Sequence, residues 1–246
     1  MTVADVVAAE HPCHLLGKTV LWRYMDLAKF INLVTTSTLY FPRLSRLQTD
    51  DPHEGTISQA SASNIALARA KRNPGKTYRA DEVAAWFNDF ASNLYVNCWH
   101  ANRESIAMWR LYAAGEGVAI KSSLGRIRRA IGDIDFDLVA GKVHYGNKLP
   151  RLPRDEFRAA FRKRLGYRFE DEARIAIFDE SNGDTFRKVH VDLRELLTEI
   201  IISPLAPDYV GSSVRNIRQK WVPKVPMRSS TLLTPPSYSD ADVSGR

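Results

Sequence analysis

The stretch YVNCWHANRESIAMWRLYAAGEGVAIK, residues 95–121, decides the fold that the sequence predicts. The run from Leu94 to Trp99 alternates apolar and polar residues and is rich in aromatic and β-branched types, which indicates a strand. After a polar break, Ile106, Trp109 and Tyr112 recur at helical spacing until two glycines end the helix. A second strand follows at once, so the pattern predicts strand, polar corner, short helix and strand.

Several aromatic and polar residues meet at this predicted corner: Cys98, Trp99, His100, Trp109 and Tyr112. One interpretation is that the rings bind a flat ligand. The other is that Trp109 and Tyr112 are core residues on the buried side of the helix, because large aromatics at such spacing usually pack inside. The sequence leaves both open.

Composition limits the classes of protein to which the chain can belong. The chain has 246 residues, 44% hydrophobic and 26% charged, with a net charge of +7, which suits a globular protein with an anionic partner. No run is long and apolar enough for a membrane span, and the N-terminus lacks a secretory pattern, so we expect a cytoplasmic protein. Cys13 and Cys98 lack metal-ligand spacing and are expected to be reduced.

The predicted fold is a single α+β domain with a mixed or antiparallel sheet flanked by helices. Residues 1–18 lead into a domain at 19–228, residues 56–93 form a helical insertion, and residues 229–246 are a disordered tail of Ser, Thr, Pro and Asp. Strands are expected near positions 20, 39, 95, 118, 143, 174, 189 and 201, all in one sheet. Helices are expected at 26–36, 154–165 and 208–221.

The basic residues concentrate in two of these helices. Arg158 and Arg162 in the first, with Arg215 and Arg218 in the second, are predicted to form one face that contacts an anionic partner such as nucleic acid or an acidic protein. The alternative is that both helices simply present solvated charge.

Charged residues occur in two predicted extended segments, where they need partners, and in one acidic turn. Arg23 lies inside a predicted strand, and Glu172 or a ligand phosphate would balance it. Period two places Glu170, Glu172 and Arg174 on one side of an extended segment, where Arg174 is the alternative, structural partner. The acidic turn at 50–55 is interpreted as a Pro-Gly bend with solvated carboxylates.

The order of several short blocks resembles the bacterial family named domain of unknown function 2971. The blocks are WRY at 22–24, LYF at 39–41, DDPHE at 50–54, CWH at 98–100, MWRLYA at 108–113 and GVAI at 117–120. The resemblance extends from about Val20 to Trp221. It departs where the family has asparagine before its Asp-Pro, a place held here by Asp50, and where it has serine in place of His100.

The layout is also similar, more weakly, to ADP-ribosyltransferases, which have an arginine on the first strand, aromatics at a central corner and a late Glu-x-Glu. The resemblance implies that Glu172 is the catalytic carboxylate and that Glu170 orients the acceptor. It implies a role in binding NAD, the substrate, for Arg23, Tyr24, His100, Trp109 and Tyr112. Contacts with the substrate are expected from Asp51, Glu54 and Arg174.

Three functional hypotheses follow. The first is NAD-dependent ADP-ribosyl transfer or NAD cleavage, in a toxin or antiviral defence effector with a nucleic-acid or protein acceptor. The second is a non-catalytic module that binds nucleic acid or a phage component. The third is a nuclease in which Asp50, Asp51, Glu54 and Glu170 surround a magnesium ion, although their spacing matches no known motif.

Overall fold

The computed structural model describes residues 14–134, 137–149, 155–181 and 183–236. The strands in this part of the chain are β1 (Val20–Met25), β2 (Thr38–Pro42), β3 (Leu94–His100), β4 (Val118–Ser123), β5 (Asp137–Lys142), β6 (His144–Tyr145), β7 (Arg162–Lys163), β8 (Glu172–Phe178), β9 (Phe186–His190), β10 (Glu199–Ile202) and β11 (Met227–Ser229). The α-helices are α1 (Leu27–Thr36), α2 (Gln59–Arg72), α3 (Ala80–Ser92), α4 (Ile106–Tyr112), α5 (Leu124–Ile131), α6 (Leu193–Leu196) and α7 (Asp208–Trp221).

The main sheet has seven strands in the order β11-β10-β4-β1-β3-β8-β5. Its pairs are antiparallel except that of β10 with β11, so the sheet is mixed, as the sequence predicts. The pairing of β1 with β3 is confined to one position, Trp22 opposite His100, whereas β3 and β8 pair along their full lengths. The chain is therefore an α+β domain with one main sheet.

The prediction of a single sheet is wrong for two strands. β2 and β9 pair with each other in a separate antiparallel ribbon, which packs its Leu39, Phe41 and Val189 against the main core. The strand expected near 143 is also divided: β5 ends at Lys142 and joins the main sheet, while β6 pairs with β7. Periodicity marks strands but does not choose their partners, which lie far apart in sequence.

The two faces of the main sheet have different coverings. The front face is the side that carries Trp22, His100 and Glu172, which are opposite one another on neighbouring strands. It is covered by α4, by α3 with α2 outside it, and by a 3₁₀ segment at Asp155–Phe161. The back face is covered by α1, α5, α6, α7 and the ribbon, around the largest apolar cluster.

Local sequence signals explain several element ends. Asp26 caps α1 by accepting a hydrogen bond from the Lys29 amide at 2.8 Å, as the sequence predicts. Ser105 caps α4 in the same way at the Met108 amide. Gly117, just before β4, lies so close to β1 that a Cβ there would be 2.0 Å from the Met25 carbonyl oxygen. This contact fixes how α4 returns to the sheet.

The prediction of an Arg-rich helix at 154–165 is wrong for the described residues of this region. The described part of this region is the 3₁₀ segment Asp155–Phe161, the short strand β7 and a second 3₁₀ segment, Leu165–Glu170. The segment buries Phe157 and Phe161 against the front face, and β7 brings Arg162 inward to 5% exposure. The cations that suggested a solvated helix are thus partly used inside the fold.

The ordered structure extends past both predicted ends of the domain, since Leu15 in the predicted lead-in is part of the main core. The predicted insertion at 56–93 contains α2 and α3. β11 includes Ser229, where the sequence places the start of the tail, and the Ser230 amide donates to the Ile202 carbonyl. Most of the lead-in and residues 237–246 lie outside the described residues. No helix among those described is long and apolar enough to cross a bilayer.

Candidate functional site

Arg174 is the centre of an ion network on the front face. The side chain is completely buried, and it donates to both carboxylate oxygens of Glu172, through Nε at 2.6 Å and Nη2 at 2.9 Å. Its Nη1 donates to Glu54 Oε1 and to the Ala160 carbonyl, both at 2.7 Å. Glu172 therefore pairs with Arg174, which is the structural alternative that the sequence left open.

Lys163 links three carboxyl groups at the same place. Its Nζ donates to Glu170 Oε2 and to Glu172 Oε2, the latter at 3.3 Å, and lies 3.7 Å from Glu54 Oε2. We call Glu54, Glu170 and Glu172, with Lys163 and Arg174, the carboxylate site. Its three carboxyl groups share these two cations in direct ion pairs, and the charge of Arg162 also acts on Glu54.

Glu170 is the member of this site that forms a hydrogen bond with a solvent-exposed side chain. Its Oε1 accepts a hydrogen bond of 2.6 Å from the hydroxyl of Tyr112, whose side chain is 41% exposed. Glu170 does not lie in the strand, which corrects the predicted extended segment. It ends a 3₁₀ segment, Asp171 turns the chain with φ +35°, and β8 begins at Glu172.

The two glutamates differ in their ionisation. Burial raises the pKa of Glu170 above its ordinary range, and the charge of Glu172 adds to this, while Lys163 acts against it. Burial also opposes the ionisation of Glu172, but Arg174 and Lys163 outweigh it and lower the pKa of Glu172 to about 2. The folded protein therefore favours the charged form of Glu172 and disfavours that of Glu170.

The acidic turn that carries Asp51 and Glu54 is buried, which corrects the solvated bend predicted there. Asp51 is 2% exposed and pairs with Arg164 at 2.6 Å. Arg162 donates to the His53 and Thr56 carbonyls, so it holds the turn from inside the fold. The resemblance assigns Asp51, Glu54 and Arg174 to contacts with the substrate, but in the structure Asp51 pairs with Arg164, and Glu54 pairs with Arg174.

The aromatic corner is assembled only in part, because Trp99 points to the back face, and most of the rest is core. Trp109 has no exposed surface and packs edge-on against Tyr24, with 4.9 Å between ring centroids. Its indole Nε1 donates to Glu104, and the Tyr24 hydroxyl accepts from the Ser105 amide. Of the predicted ring platform, only Tyr112 has a ring that solvent reaches, so the core interpretation holds for Trp109.

His100 braces this corner from the strand side. Its ring nitrogens lie 2.5 Å from the Glu170 carbonyl and 2.9 Å from the Arg103 carbonyl. Which ring nitrogen donates depends on the tautomer of the ring. His100 therefore ties the backbone of Glu170 to β3.

Arg23 does not meet Glu172, which corrects the predicted ion pair. Because side chains alternate along β1, Arg23 points to the back face while Glu172 points to the front. Its guanidinium lies 5.9 Å from the centroid of Trp99 and donates to the Cys98 carbonyl at 3.3 Å. Burial lowers the pKa of Arg23, as expected for a buried cation without a carboxylate.

The predicted basic face is also divided between the two sides of the sheet. The segment that carries Arg158 and Arg162 packs on the front face, and α7, which carries Arg215 and Arg218, packs on the back face. Arg218 donates to the Val225 carbonyl. These four arginines therefore do not form one surface.

Sequence reasoning missed two site residues, Lys163 and Tyr145. The Tyr145 hydroxyl accepts from the Glu172 amide at 2.7 Å, and burial next to Glu172 raises the pKa of Tyr145. Lys163 was hidden in a run of cations that suggested a surface helix. The sequence signal was the position of Lys163, which follows Phe161 and Arg162 and precedes the segment that leads to Glu170 and Glu172.

The nuclease hypothesis lacks the geometry it needs. Asp51 and Glu54 are neutralised by Arg164 and Arg174, and no three His, Cys, Asp or Glu side chains in the described ranges are arranged to hold a metal ion. Comparisons with protein-family models, curated proteins and solved structures found no match to the chain. The two resemblances stated above therefore remain resemblances in sequence pattern.

Proposed function

We propose that the chain cleaves the bond between nicotinamide and ribose in NAD and transfers the ADP-ribose to an acceptor, with an ADP-ribosyltransferase-like site on the front face. The observation that carries the proposal is the sharing of two cations by the three carboxyl groups of the carboxylate site. A toxin or an antiviral defence effector is the biological role we propose with it.

The surroundings of Glu170 favour a cationic ligand. Glu170 contacts Lys163 and Tyr112, while Arg174 is directed at Glu172 and Glu54. Burial raises the pKa of Glu170, so the folded protein disfavours its charge, and a positive charge next to it would offset that cost. NAD carries such a charge on its nicotinamide ring, and the reduced form of NAD does not.

The same arrangement suits the reaction. When the bond from ribose C1′ to the nicotinamide nitrogen breaks, the electron pair leaves with nicotinamide and C1′ becomes an oxocarbenium ion. The carboxylate of Glu172 stabilises this positive charge. The acceptor then attacks C1′, and Glu170 accepts its proton, a role that suits a carboxyl group with a raised pKa.

Tyr112 supplies the surface part of the site. Its exposed ring offers a flat contact for nicotinamide, and its hydroxyl leads to Glu170. Arg23 points to the back face, away from this site, so the proposal assigns it no contact with NAD.

The test is NAD turnover by the full-length protein and by Glu170→Gln. NAD labelled in nicotinamide reports cleavage, and NAD labelled in adenine reports transfer to RNA, DNA or protein. We expect Glu170→Gln to lower turnover by about 100-fold or more, because it removes proton transfer and leaves the shape of the site. Glu199→Gln is the control, since Glu199 is a half-buried glutamate that pairs with cations outside the carboxylate site, Lys121 and Arg228.

Two outcomes would contradict the proposal. One is wild-type protein that leaves NAD intact with every acceptor, because water is always present as an acceptor. The other is full turnover by folded Glu170→Gln protein. Either result would leave the non-catalytic binding hypothesis as the better account of the chain.

A further inference from the structure

A large cleft opens on the back face, away from the carboxylate site. It has a volume of about 1310 Å³ and lies between α5, the residues from β9 to α6, and the chain that follows α7. Its floor is apolar and includes the buried side chains of Ile131, Val189, Leu193 and Val225. We call it the basic cleft, because of the residues on its walls.

Cations outnumber carboxylates on these walls. The arginines and lysines that line the cleft are Arg126, Lys188, Arg194 and Lys224, and the carboxylates are Asp133 and Asp192. Asp192 accepts a hydrogen bond from the Arg194 amide at the start of α6, so its charge is partly used. Within the described residues, Lys188, Arg194 and Lys224 are exposed and belong to no ion pair.

Arg126 adds a positioned cation to the same place. Its Nη2 donates to the Arg194 carbonyl at 2.6 Å, which holds the guanidinium in position on α5. Because Arg126 lines the cleft, its charge contributes to the excess of cations on the walls.

Trp221 supplies a flat surface at the mouth of the cleft. It is the last residue of α7, lines the cleft and is 43% exposed. An indole ring of this kind offers its face to any base, and stacking on aromatic side chains is the sequence-tolerant part of single-strand binding. The ammonium of Lys220 lies 5.4 Å from the centroid of this ring.

We propose that the basic cleft binds single-stranded nucleic acid, with phosphates at its arginines and lysines and a base stacked on Trp221. The volume exceeds the roughly 300–1,000 Å³ of ordinary small-molecule pockets, which leaves room for more than one nucleotide unit. A free nucleotide presents the same chemistry and is the other source to distinguish. This site is independent of NAD cleavage, because it lies on the opposite face of the sheet.

The experiment measures binding of a fluorescein-labelled thymidine dodecamer to the full chain by anisotropy, from about 50 to 200 mM salt. In Lys188→Glu/Lys224→Glu we expect binding that is at least about ten-fold weaker. The slope of log affinity against log salt concentration should be smaller by about 1.4, because each of the two lost phosphate contacts contributes about 0.7 on a single strand. Trp221→Leu should weaken binding about ten-fold without changing the salt slope.

The matched control is Lys71→Glu/Lys76→Glu, which makes the same change in charge at two exposed positions at the end of α2 and just after it. It should bind like the wild type at physiological salt. Binding of fluorescein-labelled adenosine monophosphate together with failure of the dodecamer to bind would assign the cleft to free nucleotides. Absence of both ligands at low salt, or equal weakening in the control, would overturn the proposal.

Discussion

Two arginines lie inside strands of the main sheet, and they differ in the partners that their positive charges have. Arg174 on β8 has a carboxylate or carbonyl oxygen for three of its nitrogen atoms, including the bidentate pair with Glu172. Arg23 on β1 has one long hydrogen bond to a carbonyl and a stacking contact with Trp99. The comparison shows that an arginine inside a strand predicts a partner, but does not predict an anion.

The difference follows from the registers of the strands. β3 and β8 pair along their full lengths, so Glu172 and Arg174 share the front face with the turn that carries Glu54. β1 pairs with β3 at one position only, and the side chain of Arg23 lies on the other face. We expect the Arg174 region to contribute strongly to folding, and the Arg23 region to contribute little.

The largest effect is expected from Arg174→Met. It leaves Glu172 and Glu54 buried with Lys163 as their remaining cation, so the free energy of unfolding should fall by about 3–5 kcal/mol. Urea denaturation followed by circular dichroism measures this. The control is Arg129→Met, which breaks the exposed pair with Glu195 and should cost about 0–1 kcal/mol. Equal losses in the two variants would remove the basis of the comparison.

Glu172→Gln should have the next largest effect, and the effect should depend on pH. The pKa of Glu172 falls from an ordinary 4.5 to about 2 in the folded protein, so its charge stabilises the fold above pH 4.5. This stabilisation, about 3 kcal/mol, is lost as the pH falls through about 2. The difference in unfolding free energy between wild type and Glu172→Gln should therefore shrink between these values. A difference that stays constant with pH would contradict the pairing with Arg174.

Much of the fold was predictable because its signals are local. α7 spans Asp208–Trp221 as its amphipathic pattern predicts, and Asp26 caps α1. The α+β class and five strands of the main sheet follow from the same reasoning. The assignment of β2 and β9 to a separate ribbon did not, because it depends on pairing between residues about 150 positions apart.

The sequence predicted the residues of the candidate site better than it predicted the contacts between them. Glu170, Glu172, Arg174 and Glu54 come together as the sequence indicates. The missing element was Lys163, since a lysine in a basic run is usually solvated and nothing local shows that its neighbour Arg162 reaches back across the chain to Thr56. Long-range ion pairs of this kind are set by tertiary packing.

The smallest effect is expected from Arg23→Met. Burial lowers the pKa of Arg23, which means that the folded state disfavours the charged side chain. Removing the charge offsets the loss of the 3.3 Å hydrogen bond to Cys98, so the free energy of unfolding should stay within about 1 kcal/mol of the wild type or rise. Urea denaturation beside Arg174→Met provides the direct comparison, and a loss of about 3 kcal/mol would reveal an anionic partner for Arg23.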